Sequence, residues 1–328
     1  MTASSEVSNP RDERLRLRLA AVLFLVLGLV LVFGAVTGNS HLLSLTTRAM
    51  IFAMAAMSLD LLVGYGALVS FGHAAFLGVG SYAVGILATH GAKDLLLQIP
   101  VALLAATLFA AFTSAISLRT SGVYYIMSTL AFGQMLFFLA VSLSAYGGDD
   151  GMTLRGRSTL FGRAWLENDL VFALLVLGLL AGIYVGLARL TRSRFGRVLM
   201  GLRENPVRMQ AIGFAPFRFR LVACLISGCI CALAGVLLAN QTEFVAPAYM
   251  SWQRSGELLV MVILGGVGTL IGPILGALGF LLVEEWLSGL TEQWKLIFGP
   301  LIILIVLVGR GGLMGLIERL GARGGGRG

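Results

Sequence analysis

Few side chains in this sequence can do chemistry, and those few sit in apolar surroundings. Asp60 and Glu257 are carboxylates near the ends of apolar runs, His73 lies inside a glycine-rich interruption, and Ser70, Ser128, Thr129 and Gln134 are neutral polar groups. Ionisable groups in such settings are expensive to bury, so they mark either the path of a solute or ion, or a tie that orients helices. For Asp60 and Glu257 both readings stand open. His73 can hydrogen-bond a solute or cap the helix that follows it. Gln134 suits a bond to a neighbouring helix, and the hydroxyls are similar cases. Ser70, His73, Ser128, Thr129 and Gln134 together form the candidate translocation path. A catalytic constellation is missing: His41, His73 and His90 are dispersed, and no HExxH or GxSxG occurs. Cys224, Cys229 and Cys231 fall in one apolar run without the paired spacing of a zinc site and read as small packing residues. Neither a metal nor a cofactor is expected on this chain.

The elements that must position these residues follow from composition. Of 328 residues, 58% are hydrophobic and 12% charged, with a mean hydropathy of +0.92, too few polar groups to cover a water-facing globule. In lipid, backbone polar groups must pair internally, and continuous apolar runs do so as helices. The expected fold is all-α and polytopic, with about ten transmembrane helices, some short or interrupted, at 19–37, 49–63, 74–89, 96–118, 123–145, 169–189, 218–240, 257–267, 273–288 and 296–309. This divides the chain into an N-terminal tail (1–18), a membrane domain (19–309) and a C-terminal tail (310–328). The first run follows four arginines and reads as a retained span; a secretory signal is the alternative.

Charge orients the runs. Between Arg189 and Arg220 the chain carries six further arginines against Glu204 alone, which makes this loop (190–217) cytoplasmic. Parity then puts both basic tails inside and Tyr146 to Asn168 outside. The net charge of +8 is therefore topological, and no nucleic-acid partner is expected. Within the basic loop Phe195, Val198, Leu199 and Leu202 recur at helical spacing, with Arg194, Arg197, Glu204 and Arg208 opposite. Asn205-Pro206 is a cap and first residue of a second short helix ending near Gly213. The apolar stripe suits a partner's groove, and a helix lying on anionic lipid is the alternative. Two glycine-rich breaks, Gly64 to Gly85 and Gly265 to Gly279, interrupt short apolar runs, as transport pathways often do. Gly268, Gly272 and Gly276 repeat at four-residue spacing and are expected to pack helices closely.

Five stretches together resemble one family: LDLLVGYGALVSFGHAAFLGVGSYA from Leu59, SGVYYIMSTLAFGQM from Ser121, YGGDDGMT from Tyr146, SRFGRVLMGLRENPVRMQAIG from Ser193 and SGELLVMVILGGVGTLIGPILGA from Ser255. In order and chemistry the chain is similar to LivM-type permease subunits of branched-chain amino acid ABC transporters. The resemblance implies an ABC importer permease fold in the bacterial inner membrane, a second, LivH-like permease, two cytoplasmic ATPases carrying ATP and Mg, and an external substrate-binding protein. Consistent with that division, Lys93 and Lys295 are the only lysines and precede Asp94 and Leu296, so no Walker A motif is present. By resemblance Arg203, Glu204 and Gly213 fall in the region coupled to the ATPase, beside Phe195, Leu199 and Leu202. Asp60 departs from the family pattern, which has Asn there. Branched-chain or other small amino acids are the implied substrates. A permease for urea or short amides, and an ion-coupled secondary transporter using Asp60 or Glu257, are the competing readings.

Overall fold

The computed structural model describes residues 10–290, 293, 296, 299–300 and 312–315, with side chains from residue 19 onward. The described residues are helical apart from short connections and one longer segment, 143–168: α1 (Pro10–Val36), α2 (Ser40–Asp60) continued by a π-helical turn (Leu61–Tyr65), α3 (Ala74–Thr89), α4 (Leu95–Ser117), α5 (Val123–Ser142), α6 (Asp169–Arg192), α7 (Arg194–Glu204), α8 (Pro206–Ala211), α9 (Pro216–Thr242), α10 (Trp252–Gly265) and α11 (Ile271–Ser288). Nine of the ten apolar runs correspond to described helices, and the tenth, 296–309, lies outside the described residues apart from isolated positions, as does nearly all of the C-terminal tail. Among the described residues seven helices are long and apolar enough to cross a membrane. Helix α3 is shorter, and the 14 residues of α10 rise about 21 Å, less than a bilayer's apolar core.

Helix α2 is the axis of the molecule. From Ala49 to Asp60 every residue is buried, so a sequence apolar on all sides becomes a helix walled on all sides, by α1, α6, α9, α10 and α11. Against this, α1 and α4 bury one stripe and leave Leu25, Phe33, Leu104 and Leu108 bare, as a lipid-facing helix must. Helices α3 and α9 cross so closely that a Cβ on Gly80 would stand 1.9 Å from the Ala232 carbonyl oxygen, which explains why small residues recur on both. Helix α5 is the least embedded: Tyr124, Met127, Met135 and Phe138 are exposed, and only Tyr125, Gly133 and Ala140 are buried along it.

Connections gather at two ends. At one, β1 (Met152–Thr153) pairs antiparallel with β2 (Phe244–Val245), Thr159 exchanges backbone hydrogen bonds with Lys93 and Leu95, and His41 meets Glu285 at 3.0 Å. At the other, α7 and α8 lie beside the α2 π turn, and Leu118 after α4 shares a surface cleft with Phe214 and Phe217. This is the same sorting of segments that charge parity gives.

Buried polar side chains knit the first end. Ser158 receives the Asn240 side-chain oxygen on its N–H at 2.7 Å and donates its hydroxyl to Gln98 Oε1 at 2.6 Å. Arg157 donates to Asp169 at 2.6 Å and to the Leu166 carbonyl, with its guanidinium over the Phe172 ring. Nothing in the spacing of 146–168 announced this clamp, because its partners lie up to 82 residues away.

Candidate functional site

The first break is a stretch of non-helical backbone between the π turn and α3. Its N–H groups find hydroxyls from three directions: Phe71 donates to Thr129 Oγ1 on α5, Gly72 to Ser70 Oγ, and Ala74 to Ser255 Oγ on α10. The first turn of α3 is thus capped by another helix rather than by the residue before it. His73, at the N-cap position, makes no capping bond, so of its two expected roles capping is excluded.

His73 points inward instead. Its Nε2 lies 2.8 Å from Ser58 Oγ, and Ser58 Oγ also lies 2.7 Å from the Ala55 carbonyl oxygen. A hydroxyl has one proton, and a carbonyl accepts only, so Ser58 donates to Ala55 and accepts from Nε2–H. Nδ1 is left as an acceptor, fully buried and without a hydrogen-bond partner among the described residues. Together with Ser70, Ser117, Tyr125 and Thr129 it lines a cavity of about 30 Å³ between α3, α4, α5 and α9, roofed by Phe76, Phe109 and Phe132. Ser117 Oγ is likewise buried and without a hydrogen-bond partner among the described residues. The space matches one water or one ammonium-sized group. Of the five candidate path residues, Ser70, His73 and Thr129 meet here. Ser128, bonded to the Tyr125 carbonyl, and the half-buried Gln134 do not line the cavity. Ser58, Ser114, Ser117 and Ser255 are the residues that sequence reasoning missed. Serines spaced along apolar helices were the available signal.

The second break is tighter. Asp60, fully buried at the end of α2, accepts from the Gly268 N–H at 2.7 Å and from the Leu270 N–H at 3.4 Å. Glu257 is paired with Arg254 at 2.5 Å on its own helix. Both carboxylates are engaged with partners inside the chain, which counts against either as an ion-coupling group. The three spaced glycines differ in role. A Cβ on Gly276 would stand 1.9 Å from the Met261 carbonyl oxygen of α10, and one on Gly272 would meet Thr269 and the Gly266 carbonyl. Gly268 belongs to the turn itself, with φ +79°.

The basic loop forms two helices, α7 and α8, capped by Ser193 and Asn205 side-chain oxygens. Its apolar stripe, however, does not face a partner. Leu199 and Leu202 are fully buried within the chain, Val198 nearly so, and Phe195 stacks on Phe219 with ring centroids 5.7 Å apart. The expectation of a stripe docking in a partner's groove is corrected: a stripe at helical spacing fits an internal face as well as an external one, and here α6, α9 and the π turn occupy it. The surface left open carries Arg194, Arg203, Glu204, Val207 and Ile212, the last two 72% and 63% exposed. Arg203 Nη1 donates to the Gly64 carbonyl. Gly213 closes α8 with φ +93°.

The described residues form a helical bundle with interrupted spans and an amphipathic helix pair seated at one end. Residues 41–307 match the branched-chain amino acid transport system / permease component family, to which the chain belongs. It is 28% identical over 313 residues to the high-affinity branched-chain amino acid transport system permease protein LivM of Escherichia coli (strain K12), covering 88% of this chain and 73% of that one. Identity to the Salmonella typhimurium (strain LT2) LivM is 26%, over 80% and 67%. The autoinducer 2 import system permease protein LsrC of Enterobacter sp. (strain 638) is 28% identical, over 89% and 87%. No solved structure matches the chain. The protein is a multi-pass membrane permease subunit of an ATP-binding-cassette importer.

Proposed function

We propose that this subunit pairs with a second, LivH-like permease in the bacterial inner membrane and carries branched-chain or other small amino acids delivered by an external binding protein. Two cytoplasmic ATPases bind the ATP and Mg and supply the work, and the chain itself is no enzyme. Both termini are cytoplasmic, and the segment from Ser193 to Gly213 is the coupling element. The observation that carries this reading is the α7–α8 pair: one face is fixed to the chain's own spans, and the other offers Val207 and Ile212 among charged residues. A helix pair anchored in this way passes a push on its outer face to the membrane helices. The hydroxyl-lined cavity at His73 supports a polar path beside the loosely packed α5.

The test is co-purification with uptake. Val207→Asp with Ile212→Asp is expected to reduce recovery of the ATPase at least about tenfold, because a charge in an apolar contact is costly. Normal recovery would sink the coupling assignment. Uptake of labelled leucine, urea and acetamide with the cognate binding protein separates the substrate readings; uptake of only an amide would overturn the amino-acid one. Orientation is read by labelling intact cells, where exposed Ala164→Cys is expected to react from outside. Ser158, on the same segment but only 5% exposed, is expected to stay silent when replaced by Cys.

A further inference from the structure

The two glycine-rich breaks touch each other, and they do so directly beneath α7. Gly64, in the π turn, has no room for a side chain: a Cβ there would stand 2.6 Å from both Gly268 N and Gly268 Cα, and 2.5 Å from Asp60 Oδ1. On one side of this contact the Asp60 carboxylate holds the Gly268 and Leu270 N–H groups. On the other, Arg203 of α7 holds the Gly64 carbonyl. Arg203 also reaches the far side of the seam, its Nη1 standing 3.8 Å from where a Cβ on Gly268 would be. An unbroken series of contacts therefore runs from the exposed helix pair through the π turn to the α10–α11 turn.

We propose that Arg203 and Asp60 are positioning residues for coupling, which tie the α7 helix to the turn between α10 and α11 so that movement of the one displaces the other. Three features make the tie directional rather than a general packing contact. The π turn departs from the regular α-helical ladder, and such turns recur at functional sites. The α10–α11 turn has Leu270, a non-glycine residue, at φ +56°, a backbone state that persists only where its surroundings fix it. Asp60 supplies part of those surroundings from a different helix. Finally, Gly64 and Gly268 meet backbone to backbone, without flexible side chains to absorb a shift. A guanidinium on a carbonyl at one end and a carboxylate on two amides at the other are charge-assisted bonds, stronger than neutral ones.

The inference rests on α7–α8 being the ATPase contact, and its test is chosen to fail separately. The transporter is reconstituted in vesicles with its ATPases and binding protein, and substrate moved per ATP hydrolysed is measured. Arg203 is exposed, so Arg203→Met is expected to leave folding and ATPase recovery within about twofold while lowering uptake per ATP about fivefold or more, the lower end of typical coupling effects. Arg203→Lys, whose ammonium can also donate to a carbonyl, is expected to recover at least about half of the loss. Asp60→Ala, which leaves the Gly268 and Leu270 N–H groups without that acceptor, is expected to lower yield but to match Arg203→Met in uptake per ATP in the complex that assembles, the double variant to be no worse than the poorer single one, and Asp60→Asn, which keeps an acceptor for Gly268, to remain near the parent. Unchanged uptake per ATP in Arg203→Met with an intact complex overturns the inference even if Asp60→Ala fails to assemble. Loss of the ATPase from Arg203→Met also overturns it, making Arg203 a docking contact. Neither result touches the coupling assignment, which the Val207 and Ile212 variants judge independently.

Discussion

The two breaks solve the same problem in opposite ways. Each interrupts apolar helices and each contains one non-glycine residue at positive φ, Ala67 at +52° and Leu270 at +56°. The first break is held by neutral hydroxyls contributed by α5, α10 and its own Ser70. The second is held by one buried carboxylate from α2 and by Thr269, whose hydroxyl bonds the Gly266 carbonyl and receives the Gly272 N–H. Distributed support tolerates the loss of a member and allows the segment to shift. Concentrated support makes the turn follow whatever carries the carboxylate. The first arrangement suits a wall beside a path, and the second suits a joint.

The sharpest way to break this comparison is Asp60→Leu. It leaves the buried Leu270 N–H and the partly buried Gly268 N–H without that acceptor, each worth about 1–3 kcal/mol, so destabilisation of roughly 2–5 kcal/mol is expected. Thermal inactivation of the purified subunit in detergent measures it, and an unshifted midpoint would mean the turn holds itself. Second in size are two alanines that each clash with the backbone of another element. Gly64→Ala meets the backbone of Gly268 at 2.6 Å, between elements fixed on all sides. Gly72→Ala meets the Thr129 carbonyl oxygen at 2.0 Å, but on α5, the least buried of the seven membrane-length helices. Overpacking typically costs about 1–3 kcal/mol, and Gly64→Ala is expected near the upper end and Gly72→Ala near the lower. The reverse order in folded yield would refute the idea that α5 yields. The smallest effect belongs to Ser255→Ala. Removing one hydroxyl of several is expected to cost about 1 kcal/mol. A loss as large as that of Asp60→Leu would erase the contrast between the breaks.

Much of this was legible in the sequence, for reasons that local physics explains. Apolar runs give spans because lipid admits little else, and an excess of arginine sorts loops because it is strongly biased to one side. The Asn205-Pro206 start of α8 and the amphipathic period of α7 are likewise local, and both are present as read. What could not be read was what each face touches. Leu199 and Leu202 show the same spacing whether they fill a partner's groove or their own chain. Nothing within 146–168 shows that Ser158 is buried, because its partners Gln98 and Asn240 are far away in sequence. Asp60 stood out as a carboxylate near a span end, yet its partners lie 208 and 210 residues on. Pattern fixes the element; long-range contact fixes the role.

The π turn at Leu61–Tyr65 has a consequence for how this segment can change in length. Each residue in a helix turns the chain about 100° and advances it about 1.5 Å. Deleting any one residue between Asp60 and Gly64 would leave α2 intact but swing the glycine a quarter-turn or more away from Gly268, presenting a bulky neighbour to a backbone contact that admits no Cβ. Point substitutions on the lipid-facing helices meet no such constraint. Spacing between Asp60 and Gly64 should therefore be held more rigidly than the identity of the residues within it, and single-residue deletions there should abolish uptake where conservative apolar exchanges at Leu61 or Val63 do not.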